Sequence, residues 1–264
     1  MPQHDARAII DTAHALADEA GRAILPLFRS PLTAENKLAG GFDPVTAADR
    51  ASEQAMRAIL AQRRPDDAIL GEEFGSQPGT SGLTWVLDPI DGTRAFICGA
   101  PTWGVLIGLR DDSGPIYGII DQPHTGERFE GGLGLARLSG PRGESPLAVR
   151  GTTDLALATL MTTFPEVGAP AEGAAFRRVA AQARLTRYGM DCYAYALLAL
   201  GHVDLVIEAG LQAYDVVAPI AVIRAAGGIV TDWQGDDPSH GGQIIAAATP
   251  ELHRAALTLL NDSA

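Results

Sequence analysis

The sequence has only two cysteines, Cys98 and Cys192, far apart and with no CxxC spacing. That scarcity argues against a disulfide framework, and the expectation is two buried free thiols. Basic residues are also scarce, with 20 Lys and Arg against 32 Asp and Glu, a formal net charge of −12. A broad nucleic-acid footprint needs a basic face, so that class of partner is excluded. No apolar run reaches the roughly 18 residues of a membrane-spanning helix. The first residues carry His4, Asp5, Asp11, Asp18 and Glu19 among their apolar positions, unlike the basic start and apolar block of a signal peptide. The expected address is therefore cytoplasmic. GxSxG, a Walker lysine motif and HExxH are all missing, and the six histidines form no metal-spaced pair. His124 and His202 read as turn and surface residues, and Trp103, after Pro101, as core.

What is present is a foldable chain of 264 residues, 46% hydrophobic and 20% charged. Apolar residues at Ile9, Ala13, Leu16, Ala20, Ile24 and Leu27 predict an amphipathic helix over about 5–28. Ser30 to Asp43 reads as a loop, and Thr46 opens a second helix that Pro65 closes. Short apolar runs at Ala68–Gly71, Thr84–Leu87, Val105–Leu109, Ile116–Ile120, Arg128–Gly131 and Leu135–Leu138 read as strands, the later ones as an antiparallel meander. After Gly151 the texture alternates. Strands are expected at 157–162, 185–188, 203–207 and near Ile229 and Ile244, and helices at 171–183, 191–200, 214–226 and 250–260. Alternation of this kind implies a helix-flanked sheet. With no repeat, low-complexity segment or long linker, the chain reads as a single domain of two halves. They are an N-terminal α+β half, 1–145, and a C-terminal α/β half, 146–264.

The chemistry concentrates in WVLDPIDGT, Trp85 to Thr93. Pro89 disfavours helical geometry at Asp88 and holds it extended. Gly92 lets the backbone approach a ligand closely, and a helix beginning there would aim its amides outward. Asp88 and Asp91 thus emerge around one corner beside an anion cradle, with the Thr93 hydroxyl available to orient a water. Hard divalent cations take oxygen ligands, and Mg²⁺ uses few protein carboxylates alongside waters and phosphate. Taken singly, the DxxD pattern is also ordinary turn chemistry, Glu72-Glu73 a solvated loop, and Asp215 a helix-dipole partner. Asp88 and Asp91 are three apart, wider than the two-residue spacing of phosphatases that form an aspartyl-phosphate, so no phosphoenzyme is expected.

Four segments together, DPVTAAD (43–49), GEE (71–73), WVLDPIDGT (85–93) and YDVVAPIAVIRAAGG (214–228), resemble the inositol monophosphatase family over nearly the whole chain. The resemblance implies an α/β (α+β) fold, the layered α/β/α/β/α sandwich of the inositol monophosphatase and fructose-1,6-bisphosphatase type. It implies a homodimer acting on a small phosphorylated substrate with two or three Mg²⁺ ions. Glu72, Asp88, the Ile90 carbonyl, Asp91 and Asp215 would hold the metals. Gly92 and Thr93, with Asp91, would hold the phosphate end, and Asp49, Glu72 and Thr93 would serve the attacking water. Ala48 departs from relatives that often carry Thr before the acid.

Substrate choice is expected from the second half. GTRAFICGAPTWG and RYGMDCYAY are similar to the histidinol-phosphatase branch of the family. Asp191 and Glu208 there would suit a cationic substrate such as L-histidinol phosphate. Asp191 reads equally as an N-cap of the following helix, and Glu208 as a solvated strand end. Arg94 either adds charge beside the phosphate or forms a surface salt bridge, and Arg187 faces the substrate or a partner subunit's loop. Inositol 1-phosphate or another sugar phosphate is the alternative substrate, and a binding or regulatory role without catalysis the alternative class. The segment from Glu35 to Asp43, with Lys37 and Gly40-Gly41, reads as a loop able to close over the site.

Overall fold

The N-terminal periodicity becomes helix α1 (Gln3–Ile24) in the computed structural model, which describes residues 3–31, 35–36 and 44–262. Ile9, Ala13, Leu16, Ala20 and Ile24 are all fully buried along its inner face. The helix stops before the expected residue 28 because Pro26 disfavours helical geometry at Leu25 and offers no N–H of its own. A two-residue ladder, β1 (Glu35–Asn36) with β2 (Pro44–Val45), interrupts the expected loop. Lys37 and Gly40-Gly41 lie outside the described residues, and with them the proposed loop closure. Helix α2 (Ala47–Arg63) begins where expected, with Thr46 as its N-cap.

Eight strands form the first sheet. They are β3 (Ala68–Gly71), β4 (Gly75–Gln77), β5 (Thr84–Asp91), β6 (Gly104–Asp111), β7 (Gly114–Gln122), β8 (Glu127–Gly132), β9 (Leu135–Gly140) and β10 (Gly143–Pro146). Their spatial order is β10-β9-β8-β7-β6-β5-β3-β4, antiparallel throughout except for the parallel β3–β5 pair. A short helix, α3 (Thr93–Cys98), leaves the end of β5. The second half supplies a 3₁₀ turn at Leu155–Leu157, where a strand was expected to start, then β11 (Thr159–Thr162) and α4 (Pro170–Ala180). β12 (Leu185–Tyr188), α5 (Tyr193–Ala199), β13 (Leu205–Gln212) and α6 (Ala213–Ala225) follow, and β14 (Ile229–Thr231), β15 (Gly241–Ala247) and α7 (Pro250–Leu260) complete the chain. The second sheet has the order β12-β11-β13-β15-β14, parallel at β11 and antiparallel around β15.

The layers run α1 and α2, first sheet, α5 and α6, second sheet, α4 and α7, an α/β/α/β/α sandwich. Helix α6 is the central layer's axis, and every residue from Val216 to Ile223 is buried, so it shows no amphipathic stripe. It lies directly on a row of glycines that pair across β6, β7 and β8, Gly108 opposite Gly118 and Gly118 opposite Gly131. A Cβ at Gly118 would stand 2.4 Å from the Ala218 carbonyl oxygen, and one at Gly131 would stand 2.5 Å from the Val222 Cα. Side chains are excluded there, so helix and sheet meet backbone to backbone. Among the described residues, no helix is long and apolar enough to cross a membrane. Both cysteines are free. Cys192 is buried as expected, whereas Cys98, at the end of the six-residue α3, is exposed.

Candidate active site

Strand β5 delivers two carboxylates to one end of the first sheet. Pro89 has no N–H to pair with β6, and the register slips between Asp88 and Asp91. That irregularity turns both acids towards the central layer. Asp88 is 2% exposed, and its Oδ1 accepts the Ile90 N–H at 3.0 Å. Gly92 then takes φ 84°, a left-handed conformation that Gly adopts without strain, and α3 starts at Thr93. Asp215 arrives from the first turn of α6, where its Oδ2 accepts the Gln212 N–H at 2.6 Å. One oxygen each from Asp88, Asp91 and Asp215 lies within 4.8 Å of the others.

Glu72 joins them from the turn after β3, its N–H donating to the Leu87 carbonyl at 3.1 Å. Burial pushes the Asp88 carboxyl well above its ordinary range, and Glu72, Asp91 and Asp215 add to the effect. Burial likewise raises Asp91, with Asp191 and Asp215 adding to it, against a 2.6 Å hydrogen bond from the Cys192 N–H. Acids so arranged take up protons unless a cation neutralises them. An all-oxygen cluster of this kind suits a hard divalent cation.

Asp49 occupies the first turn of α2, fully buried, and closes a capping box by accepting from the Thr46 N–H at 2.8 Å and hydroxyl at 2.6 Å. Its other oxygen is 3.3 Å from the Thr93 hydroxyl, which also lies 3.1 Å from the Ile90 carbonyl. The two water-positioning candidates are therefore in contact, Thr93 on the cleft wall and Asp49 outside its lining.

The cleft itself encloses about 260 Å³ and is lined by Glu72, Asp88, Ile90, Asp91, Gly92, Thr93, Arg94, Asp191, Glu208 and Asp215, among others. Asp191 is not the cap of α5. The capping position belongs to Cys192, which has helical angles and no side-chain cap, while Asp191 sits at φ 46° and accepts from the Thr102 hydroxyl at 3.3 Å. Its carboxyl fills the space beside Gly92, where an added Cβ would come within 2.8 Å of Cγ. Burial pushes it up to about 6, against the Thr102 hydrogen bond and the Arg94 guanidinium. Nor is Glu208 a solvated strand end. It is 5% exposed and accepts the Thr163 N–H at 2.6 Å and the Thr162 hydroxyl at 3.1 Å. Burial pushes it up to about 7 against those bonds.

Arg94 stands at the rim with its guanidinium 4.8 Å from the Phe164 ring centroid, a cation–π contact. Arg187 is exposed on edge strand β12 and does not line this cleft. Thr102, Thr163 and Phe164 escaped the sequence reading because each reaches the site through tertiary contact. Trp103 is fully buried and His124 and His202 are exposed, as expected.

A five-layer sandwich whose central helix and an interior strand end converge acids beside a glycine turn defines a class of phosphate-handling enzymes. The chain belongs to the inositol monophosphatase family, whose model matches residues 5–264, and it is accordingly a phosphatase, a phosphoric monoester hydrolase. It is 41% identical over 258 residues to a chloroplastic bifunctional phosphatase, IMPL2, of Arabidopsis thaliana, covering 94% of this chain and 73% of that protein. It is 36% identical over 224 residues to a histidinol-phosphatase of Mycobacterium tuberculosis, covering 83% of this chain and 85% of that one. Among solved structures, an inositol monophosphatase from Zymomonas mobilis matches with a TM-score of 0.85 at 42% identity, covering 96% of this chain and 97% of that one.

Proposed function

We propose that the chain is a Mg²⁺-dependent histidinol-phosphate phosphatase serving histidine biosynthesis. The observation that carries this reading is the pair of carboxylates, half-buried Asp191 and buried Glu208, facing the same cleft as the Asp88–Asp91–Asp215 cluster. Two acids beside the leaving group complement the amine and imidazole of L-histidinol phosphate by charge, whereas a neutral polyol offers them hydroxyl hydrogen bonds alone. The 36% identity to a histidinol-phosphatase supports it.

In this reading Glu72, Asp88, the Ile90 carbonyl, Asp91 and Asp215 hold two or three Mg²⁺ ions. Magnesium, when bound, supplies Lewis acidity towards the phosphoryl and leaving oxygens. The backbone at Gly92 and Thr93 receives the phosphate at the start of α3. Asp49, fixed by Thr46, orients the Thr93 hydroxyl, and the two direct the attacking water. Arg94 reinforces the anionic end of the substrate from the rim. Arg187, on the exposed edge of the second sheet beside Leu185 and Tyr188, belongs to the contact of a homodimer.

A second reading, an inositol-1-phosphate phosphatase, is favoured by the 42% identity to the Zymomonas mobilis structure. Initial rates on L-histidinol phosphate and myo-inositol 1-phosphate, with and without Mg²⁺, separate the two. Preference for histidinol phosphate, with a KM raised selectively by Asp191→Ala, is the expected result. Turnover of inositol phosphate faster by about tenfold, worth about 1.4 kcal/mol, would reverse the assignment.

A further inference from the structure

Helix α2 buries two acids on one face. Asp49 closes its N-terminus, and Glu53, one turn further on and fully buried, turns outward from the helix to the reversal after β3. There Glu53 Oε2 accepts the Glu73 N–H at 2.7 Å, and Oε1 accepts the Phe74 N–H at 3.2 Å. Arg57 donates to the same carboxylate at 2.7 Å and also reaches the Gly75 carbonyl. A Cβ built at Gly71 would fall 2.0 Å from Glu53 Oε1, so the residue before Glu72 has given up its side-chain space to this carboxylate.

Burying a carboxylate is unfavourable by several kcal/mol unless it is paired and hydrogen-bonded. Here every partner but Arg57 is the backbone of a single turn, and that turn carries Glu72. The Glu72 N–H is tied to Leu87, the residue before Asp88. Glu72 is thereby pinned on one side to β5 and on the other to α2.

We infer that Glu53 is a positioning residue. It fixes the backbone of residues 72–74 so that the Glu72 carboxylate faces Asp88, and so sets divalent-cation affinity without touching the cation. The inference rests on the reading of Glu72 as a metal ligand.

The test is Mn²⁺ binding to the substrate-free protein, read from the electron paramagnetic resonance of free Mn²⁺, together with Mg²⁺ activation of turnover. Partners of a ligand in the surrounding shell are typically worth about 10–100-fold in metal affinity. Glu53→Gln keeps the side chain's size and should weaken Mn²⁺ binding about tenfold, with a matching rise in the Mg²⁺ needed for half-activation. Raising Mg²⁺ should repair the lost turnover. In a Glu72→Gln background, Glu53→Gln should cause no further loss, because the ligand it positions is gone.

Unchanged Mn²⁺ affinity in Glu53→Gln, or a fully additive loss in the double variant, overturns the inference. Unchanged affinity in Glu72→Gln would instead overturn the ligand assignment itself. Should Glu53→Gln not fold, Arg57→Gln removes the charged donor from Glu53 and carries the same test. A loss in the same direction supports the positioning role, and wild-type affinity refutes it.

Discussion

Replacing Glu208 by glutamine keeps the side chain's volume and removes its charge from a nearly closed position on β13. Burial pushes this carboxyl from 4.5 up to about 7, despite hydrogen bonds from Thr163 and Thr162 that pull the other way. At 1.36 kcal/mol per tenfold, that interval corresponds to about 3 kcal/mol. The sign follows from which form the fold disfavours. The folded protein resists the ionised form, so stability is full below pH 4.5, declines as pH rises, and carries the whole penalty above about 7. Glutamine escapes the penalty. Its amide oxygen can accept from the Thr163 N–H, and its amide nitrogen can donate to the Thr162 hydroxyl oxygen. The variant should therefore be more stable by about 3 kcal/mol near pH 8, a rise in Tm of roughly 6–12 °C, and almost indistinguishable near pH 4. Thermal unfolding in chelator across that pH range measures the difference directly. A shift independent of pH, or a variant less stable near pH 8, would refute the reasoning. The same substitution should raise KM for a cationic substrate, since the strain at Glu208 is then relieved by the ligand rather than by mutation.

Asp91→Asn removes a charged oxygen but keeps an acceptor for the Cys192 N–H. Turnover should fall about 10²–10³-fold with an unchanged circular dichroism spectrum, and retention of most activity would contradict the metal assignment. Glu130 is a separate case, buried yet held at about 2. Burial alone would raise it, but hydrogen bonds from His14, Tyr117 and Arg137 prevail. Its stabilisation, about 3 kcal/mol, is present above pH 4.5 and lost as pH falls towards 2. Urea unfolding of Glu130→Gln should accordingly show a weaker fold at pH 7 and a flatter acid limb than the wild type. Gly118→Ala would drive a Cβ into the Ala218 carbonyl, and should lower stability by about 1–3 kcal/mol and raise the Mg²⁺ needed for activation. Wild-type values in denaturant and Mg²⁺ titrations would show that α6 adjusts freely.

Much of the architecture was legible because local rules governed it. Helix α7 and strand β12 occur at the expected residues, and the Pro89 and Gly92 corner follows from backbone restrictions written in the sequence. Strands β4 and β10, GSQ and GESP, have no apolar alternation and exist only because a neighbour pairs with them. Helix α3 has six residues, too few for a periodicity to register. The acids of the cleft divide in the same way. Asp88, Asp91 and Asp215 stand at element ends that the sequence marks. The environments of Asp191 and Glu208 are made by Thr102, Gly92, Thr162 and Thr163, remote in sequence, so the sequence alone does not separate a cleft position from capping or solvation. Glu53 left one trace. It shares the buried face of α2 with Asp49, Met56 and Leu60, where an acid has no reason to lie unless something across the fold needs it.

The glycine row under α6 bears on how such an enzyme can change. The distance from Asp215 to Asp88 and Asp91 is fixed by how closely one helix sits on one sheet, at positions that never meet the substrate. A single methyl there would alter all three acids at once, whereas Asp191, Glu208 and Phe164 sit on separate segments and can be exchanged one at a time. On the proposed reading, the acid cluster therefore shifts as a block, while the residues proposed to choose the substrate form a separately adjustable part.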